Sequence, residues 1–178
     1  MFPFYQALKN EIKDSEQISY MVQGGAWGLG CNGLHFIDHL SFLSDNTELK
    51  IDNDFLHPHV YKAKRADYVE FNGLLKGRIS NHIFALYSDK EHVPVSITIT
   101  TDTLTAFIDE TNGYASGESG IILKTIDGGD NWFIPGLGLK YSIRPIFFTD
   151  LTTGYAVGTA TPGTIVFLLK IENGGDPW

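Results

Sequence analysis

The sequence predicts an all-β fold with a short N-terminal helix. Three observations carry this reading. From residue 34 onward, segments rich in β-branched and aromatic residues follow one another without an intervening helical period. Asn, Asp, Gly and Pro punctuate those segments at short intervals, in a chain that holds 19 Gly and 13% aromatic residues. The last third of the chain repeats itself, and repeats of about 40 residues are those of stacked β units.

Bulk properties narrow the function before any motif is read. At 178 residues one domain is the natural expectation, and 43% hydrophobic with 19% charged residues is a globular composition. The net charge of -8 repels phosphate backbones, so nucleic acid is not an expected partner. The single Cys31 cannot form an internal disulfide. Met1-Phe2-Pro3-Phe4-Tyr5-Gln6 has no basic region leading into an apolar run, so it is not a secretory leader. No apolar stretch reaches the ~20 residues of a helical membrane span, so membrane insertion is not expected. A cytoplasmic protein fits these facts, as does an exported one whose leader lies outside this chain.

Residues 3 to 14 read as a helix. Pro3 suits a first turn, and Phe4, Leu8 and Ile12 recur on one face. Gly24-Gly25-Ala26-Trp27-Gly28-Leu29-Gly30 is turn-rich. A phosphate cradle would sit between a strand and a helix and end in Lys-Ser/Thr; the stretch reads instead as a loop or glycine-spaced strand. Strand-like segments follow: Leu34 to Ile37, Glu48 to Ile51, Tyr68 to Phe71, Ile83 to Tyr87 and Val95 to Thr100, several alternating apolar with polar.

In the repeat, Phe107 to Gly117 is matched by Phe148 to Gly158 at a shift of 41 (148 − 107), with Gly-Tyr-Ala-x-Gly in both. Asp127-Gly128-Gly129-Asp130-Asn131-Trp132 is matched by Asn173-Gly174-Gly175-Asp176-Pro177-Trp178 at a shift of 46 (178 − 132). Asp or Asn can cap a turn through backbone N–H groups, and Gly supplies positive φ. Thr125-x-Asp127-x-Gly129-x-x-Trp132 resembles the Asp-box, or bacterial neuraminidase repeat, motif Ser/Thr-x-Asp-x-Gly-x-x-Trp, and Gly113-Tyr114-Ala115-x-Gly117 is similar to the version in photosystem II assembly-factor-like propellers. The second copy departs from it, with Ile171 for Ser/Thr and Asn173 for Asp. The resemblance covers roughly residues 104 to 178. Weaker echoes at Leu86-Tyr87-Ser88-Asp89 and Lys50-Ile51-Asp52 lack the Gly and the Trp. Taken as degenerate copies, they imply about four blades of a small or partial β-propeller. The chain then divides into a helical segment at 1–17, a divergent β region at 18–103 and two Asp-box-type repeats at 104–178. A strand from Ile18 to Gln23 would close the ring against the last copy.

The turn residues Thr125, Asp127, Gly129, Trp132, Asn173, Gly175 and Trp178 are expected to be structural. Asp109, Asp127, Asp130 and Asp150 fall at turns, where calcium could find oxygen ligands but where Asp ordinarily satisfies backbone donors. Four of the six His lie close together in sequence, as His35, His39, His57 and His59 near Cys31. The Cys31-x3-His35-x3-His39 spacing would line one face of a helix and suit zinc, but no CxxC or HExxH accompanies it, so surface and half-buried histidines are the simpler reading. Trp27, in its glycine-rich loop, is the candidate for ligand contact. A sialidase would need an arginine triad on a six-bladed ring; the chain holds just three arginines, Arg65, Arg78 and Arg144, and is too short for six blades, so a sialidase-like glycosidase is the less favoured alternative. The expected function is therefore a non-catalytic binding or assembly scaffold, without a cofactor, presenting loops to a protein or glycan partner. The alternative is a receptor-binding module: Tyr68 to Gly77 with Ile83 to Leu86 resembles the β-rich heads of phage tail fibres.

Overall fold

The computed structural model describes residues 3–63, 66–91, 93–117, 120–128, 130–135, 142–148, 152–160 and 165–174. The fold is mixed α/β and not an all-β propeller. Its large sheet has eight strands in the order β2-β3-β4-β1-β5-β6-β7-β8. These are β1 (Ser19–Gly25), β2 (Leu49–Lys62), β3 (Val69–Ile79), β4 (His82–Asp89), β5 (Ser96–Thr100), β6 (Leu104–Ile108), β7 (Gly113–Gly117) and β8 (Ile122–Thr125). β9 (Ser142–Phe148), β10 (Gly154–Ala160) and β11 (Ile165–Ile171) form a separate three-stranded sheet.

β1 is the hinge of the topology. It pairs parallel with β4 (Met21 opposite Ala85) and antiparallel with β5 (Met21 opposite Thr98). Ile18 to Gln23 therefore lies in the centre of the large sheet rather than against the last repeat, and the large sheet stays open, with β2 and β8 at its edges. A parallel pair requires a crossover, and the chain supplies α2 (Leu29–Ser44) followed by the β2–β3 hairpin. Leu34 to Ile37 is thus helical, not a strand. Leu29, Gly33, Ile37, Leu40 and Leu43 recur at three- and four-residue spacing and form the buried face of α2. The short helix α1 (Pro3–Ile12) docks beside it, and Lys9 joins the two by pairing with Asp45 and lying 4.5 Å from the Phe42 ring. The two presumed upstream blades dissolve as well. Lys50 to Asp52 lies inside β2 and Leu86 to Asp89 ends β4.

Both helices cover one face of the large sheet. Leu8, Ile12, Leu29, Leu40 and Leu43 pack there against Tyr20, Val22, Phe84, Leu86 and Ile99. Among the described residues, the opposite face is covered only at its β6–β7 end, where the small sheet packs. Phe148 stacks on Tyr114 at 4.1 Å and on Phe107 at 5.3 Å between ring centres. Phe107, Tyr114, Ile122, Ile143, Ile146, Phe148, Ala156 and Ile171 form this second core.

The sequence repeat is real in three dimensions. β6-β7-β8 and β9-β10-β11 are each an antiparallel three-stranded meander. The Gly128 N–H donates to the Thr111 carbonyl at 2.8 Å, and the Gly174 N–H donates to the Thr152 carbonyl at 2.8 Å. In each copy, the turn after the third strand is tied back to the turn between the first two.

Candidate functional site

The glycine-rich stretch Gly24 to Gly30 does connect a strand to a helix, but its chemistry is not that of a phosphate cradle. The N-terminus of α2 is already occupied. Glu70 of β3, 4% exposed, accepts the N–H groups of Gly30 at 2.8 Å and Cys31 at 3.0 Å. A carboxylate there satisfies orphan donors and the positive end of the helix dipole, the two features that would otherwise attract an anion. Gly28 has φ of 77°, and a Cβ on it would sit 2.8 Å from Glu70 Oε1. The glycine lets the protein's own carboxylate reach the helix.

Gly25 has a different task. A Cβ there would lie 1.5 Å from the Glu91 carbonyl oxygen. The connection from β4 to β5 can therefore lie directly on the end of β1, held by Gly25 N–H to Val93 O at 2.9 Å and Ala26 N–H to Asp89 O at 2.7 Å. This clamp builds one wall of a groove of about 600 Å³, a size that suits small ligands or a peptide side chain. The groove opens at the carboxyl ends of the parallel strands β1 and β4, where open α/β sheets generally leave a crevice. Gln23, Tyr87 and Ser96 form its base, Phe107 and Phe148 its far wall, and Asp89, Glu91 and Asp109 bring three carboxylates to it.

Those carboxylates are not equivalent. Asp89 accepts the Lys90 N–H at 2.6 Å and the Tyr87 hydroxyl at 3.0 Å, and these bonds, helped by the charges of His57 and Lys90, hold its carboxyl below the usual range. Asp109 accepts the N–H groups of Thr111 at 2.8 Å and Asn112 at 2.6 Å on Oδ1, capping the β6–β7 turn.

From the groove the same sheet face runs on across β1 and β4. Met21, Ile83 and Tyr87 lie on it at 39%, 42% and 38% exposure, in register with Thr98, Ser19 and Gln23. No described element covers this strip.

Of the residues singled out by sequence, Asp109 lines the groove, and the others described below fall elsewhere. Trp27 is half-buried; its ring N–H donates to the Tyr87 carbonyl at 2.9 Å and its ring meets Phe36 edge-on at 5.2 Å. Thr125 and Asp127 build the expected turn. Asp127 Oδ1 accepts the Thr125 hydroxyl at 2.6 Å and the Asn131 N–H at 2.9 Å, while Oδ2 accepts the Asn131 amide at 2.8 Å. These bonds push the Asp127 carboxyl down to about 2. Trp132 packs over Gly113. Asn173 adopts φ of 54° in the matching turn. Gly129, Asp150, Gly175 and Trp178 lie outside the described residues.

The histidines part company. Cys31 and His35 are exposed on α2, His57 and His59 are exposed on β2, and His39 turns into the helix–sheet core. There the Tyr20 hydroxyl and His39 Nδ1 lie 2.8 Å apart, and Tyr5 meets the imidazole edge-on at 4.1 Å. Burial pushes the His39 pKa down to about 4, against a smaller upward pull from Asp38. Among the described residues, no three His, Cys, Asp or Glu side chains gather as a metal site.

The groove residues Gln23, Glu91 and Ser96 had no sequence motif to announce them. The available signal was the charged, proline-ended run Asp89 to Pro94 between two strands, which marks a loop, next to a Gly-Gly pair that permits close approach.

No family model matches the chain, and neither does any curated protein. Among solved structures it is similar to a dehydrogenase (MviM) from Clostridium difficile, with 13% identity and a TM-score of 0.39. The match covers 76% of this chain and 43% of that one, so the chain spans less than half of that enzyme's length. A likeness of this degree carries no activity across.

Proposed function

We propose that this protein is a non-catalytic binding module that holds an extended protein segment along the uncovered strip of its large sheet, with the groove at one end. One observation carries this reading. Met21, Ile83 and Tyr87 present an apolar strip on a sheet face that the small sheet packs against only at its β6–β7 end. Contiguous exposed apolar surface of this kind marks interaction sites. Asp89 spends its carboxylate on the Lys90 N–H and the Tyr87 hydroxyl, which fixes it as part of the groove wall. The turn after β8 serves as a folding device: Asp127 spends both oxygens on it.

The experiment is selection of a displayed random-peptide library against the wild-type protein and against a folded Met21→Lys/Ile83→Glu variant. Peptides enriched by the wild type and lost on the variant are expected. Equal recovery on both proteins would remove the strip as the binding surface. Glycan-array signal that disappears in the variant, without peptide enrichment, would transfer the strip to a carbohydrate partner.

A further inference from the structure

We propose that the groove holds one basic side chain of the bound segment, an arginine or lysine, with its charged head on Glu91 and Asp109 and its aliphatic stem against Phe107. This rests on the protein-segment reading above and adds the chemistry of the anchor.

The charge in the groove is one-sided. Its described lining holds three carboxylates and no Lys or Arg. Asp89 is already matched by Tyr87 and Lys90. Among the described residues Glu91 has no side-chain partner and the four bonds that reach Asp109 all fall on Oδ1, which leaves Oδ2 facing a ligand. An independent feature points the same way. Ser96 is only 8% exposed and lines the groove, yet its hydroxyl has no hydrogen-bond partner among the described residues. Gln23 lines the groove beside it, opposite Ser96 in the β1–β5 pairing. A hydroxyl that reaches a groove without a protein partner is open to a ligand donor in place of water. A guanidinium or ammonium head brings several donors to such acceptors, and its stem needs an apolar wall of the kind Phe107 offers. The net charge of -8 draws cations toward the surface and repels anions.

The test uses fragments, so it does not depend on knowing the partner. Binding of phenethylguanidinium to the intact protein is compared with binding of phenethylurea, its neutral isostere, by NMR titration that follows the Ser96 and Glu91 amide signals. The guanidinium is expected to bind about tenfold more tightly, and the difference should shrink as salt is added. Glu91→Gln is exposed and leaves the fold intact, and Asp109→Asn keeps the Oδ1 acceptor of its turn. Together they should erase the preference. Equal binding of the two fragments, or a preference that survives both substitutions, overturns the proposal. The two readings separate cleanly. Library peptides that depend on Met21 and Ile83 but show no basic residue leave the strip standing and remove the cation anchor. Fragment discrimination without peptide binding does the reverse.

Discussion

The Tyr114 hydroxyl donates to the Gly174 carbonyl at 2.6 Å, joining the first copy of the repeat to the turn of the second inside the protein. Tyr114 is 1% exposed, and burial, with a smaller contribution from Asp109, pushes its pKa up to about 12. Tyr114→Phe keeps the ring stacked on Phe148 and leaves the Gly174 carbonyl without that donor. The expected cost is about 1–3 kcal/mol, measured by chemical denaturation. Since the folded pKa lies above the usual tyrosine value, this tyrosine's contribution is complete below pH 10 and is lost as pH rises through about 12. A variant as stable as the wild type would show that the two sheets are held by stacking alone.

Glu70 gives a second prediction. Its carboxylate closes the N-terminus of α2 from across the fold, while the N-cap position itself is Gly28, which offers no side chain. Glu70→Ala removes two charge-assisted bonds and should cost about 2–3 kcal/mol. Inorganic phosphate should not stabilise the wild-type protein, because the anion position is filled. A rise in melting temperature with phosphate in the wild type would contradict this placement.

How much of this was legible beforehand depended on whether the signal was local. The α1 helix and the strands around Val69, Ile83 and Val95 follow from short-range periodicity, and the repeat marks two like units, which are three-stranded meanders and not the propeller blades the sequence suggests. What failed was long-range. Nothing in Ser19 to Gly25 says that its neighbours are β4 and β5, and that pairing turns a presumed ring into an open mixed sheet. α2 was hidden by its composition: Gly30 and Gly33 weaken helical propensity, and Phe36, Ile37 and Phe42 read as strand residues. Its 29-33-37-40-43 spacing was the stronger signal, since burial of one face outweighs propensity. The groove could not be read because its walls come from separate strands and one loop.

His39 predicts an acid-sensitive fold. The imidazole is neutral in the core beside Tyr20 and Tyr5, with a pKa held at about 4 by burial. An unfolded chain would bind the same proton near pH 6.5. The depressed folded value means that His39's contribution is complete above pH 6.5 and drains away as pH falls toward 4, by on the order of 2–3 kcal/mol. His82 adds to the loss in the same direction: burial lowers its pKa, and its Nδ1 accepts the Ile18 N–H at 3.1 Å only while unprotonated. Melting temperature measured against pH should fall across this window, and His39→Gln should flatten the slope. A wild-type curve level between pH 6.5 and 4 would rule out a buried neutral imidazole.

Asp127 separates folding from binding. Its carboxylate organises the turn after β8 through Thr125 and Asn131, and Gly128, at φ of 69°, carries the chain back to the Thr111 carbonyl. Asp127→Ala should therefore lower the melting temperature and free the 126–131 turn to exchange its amides faster, while the guanidinium preference of the groove stays unchanged. Asp127→Asn should do less harm, since an amide oxygen can still accept the Asn131 N–H and Asn173 already occupies the equivalent place in the second copy. The acid window also differs from that of His39. With the carboxyl pushed down to about 2, the stabilisation from Asp127 is present above pH 4 and disappears only as pH falls through 2. Loss of fragment binding in a folded Asp127→Ala protein would mean that the turn reaches the groove, and that the repeat does more than shape the small sheet's support.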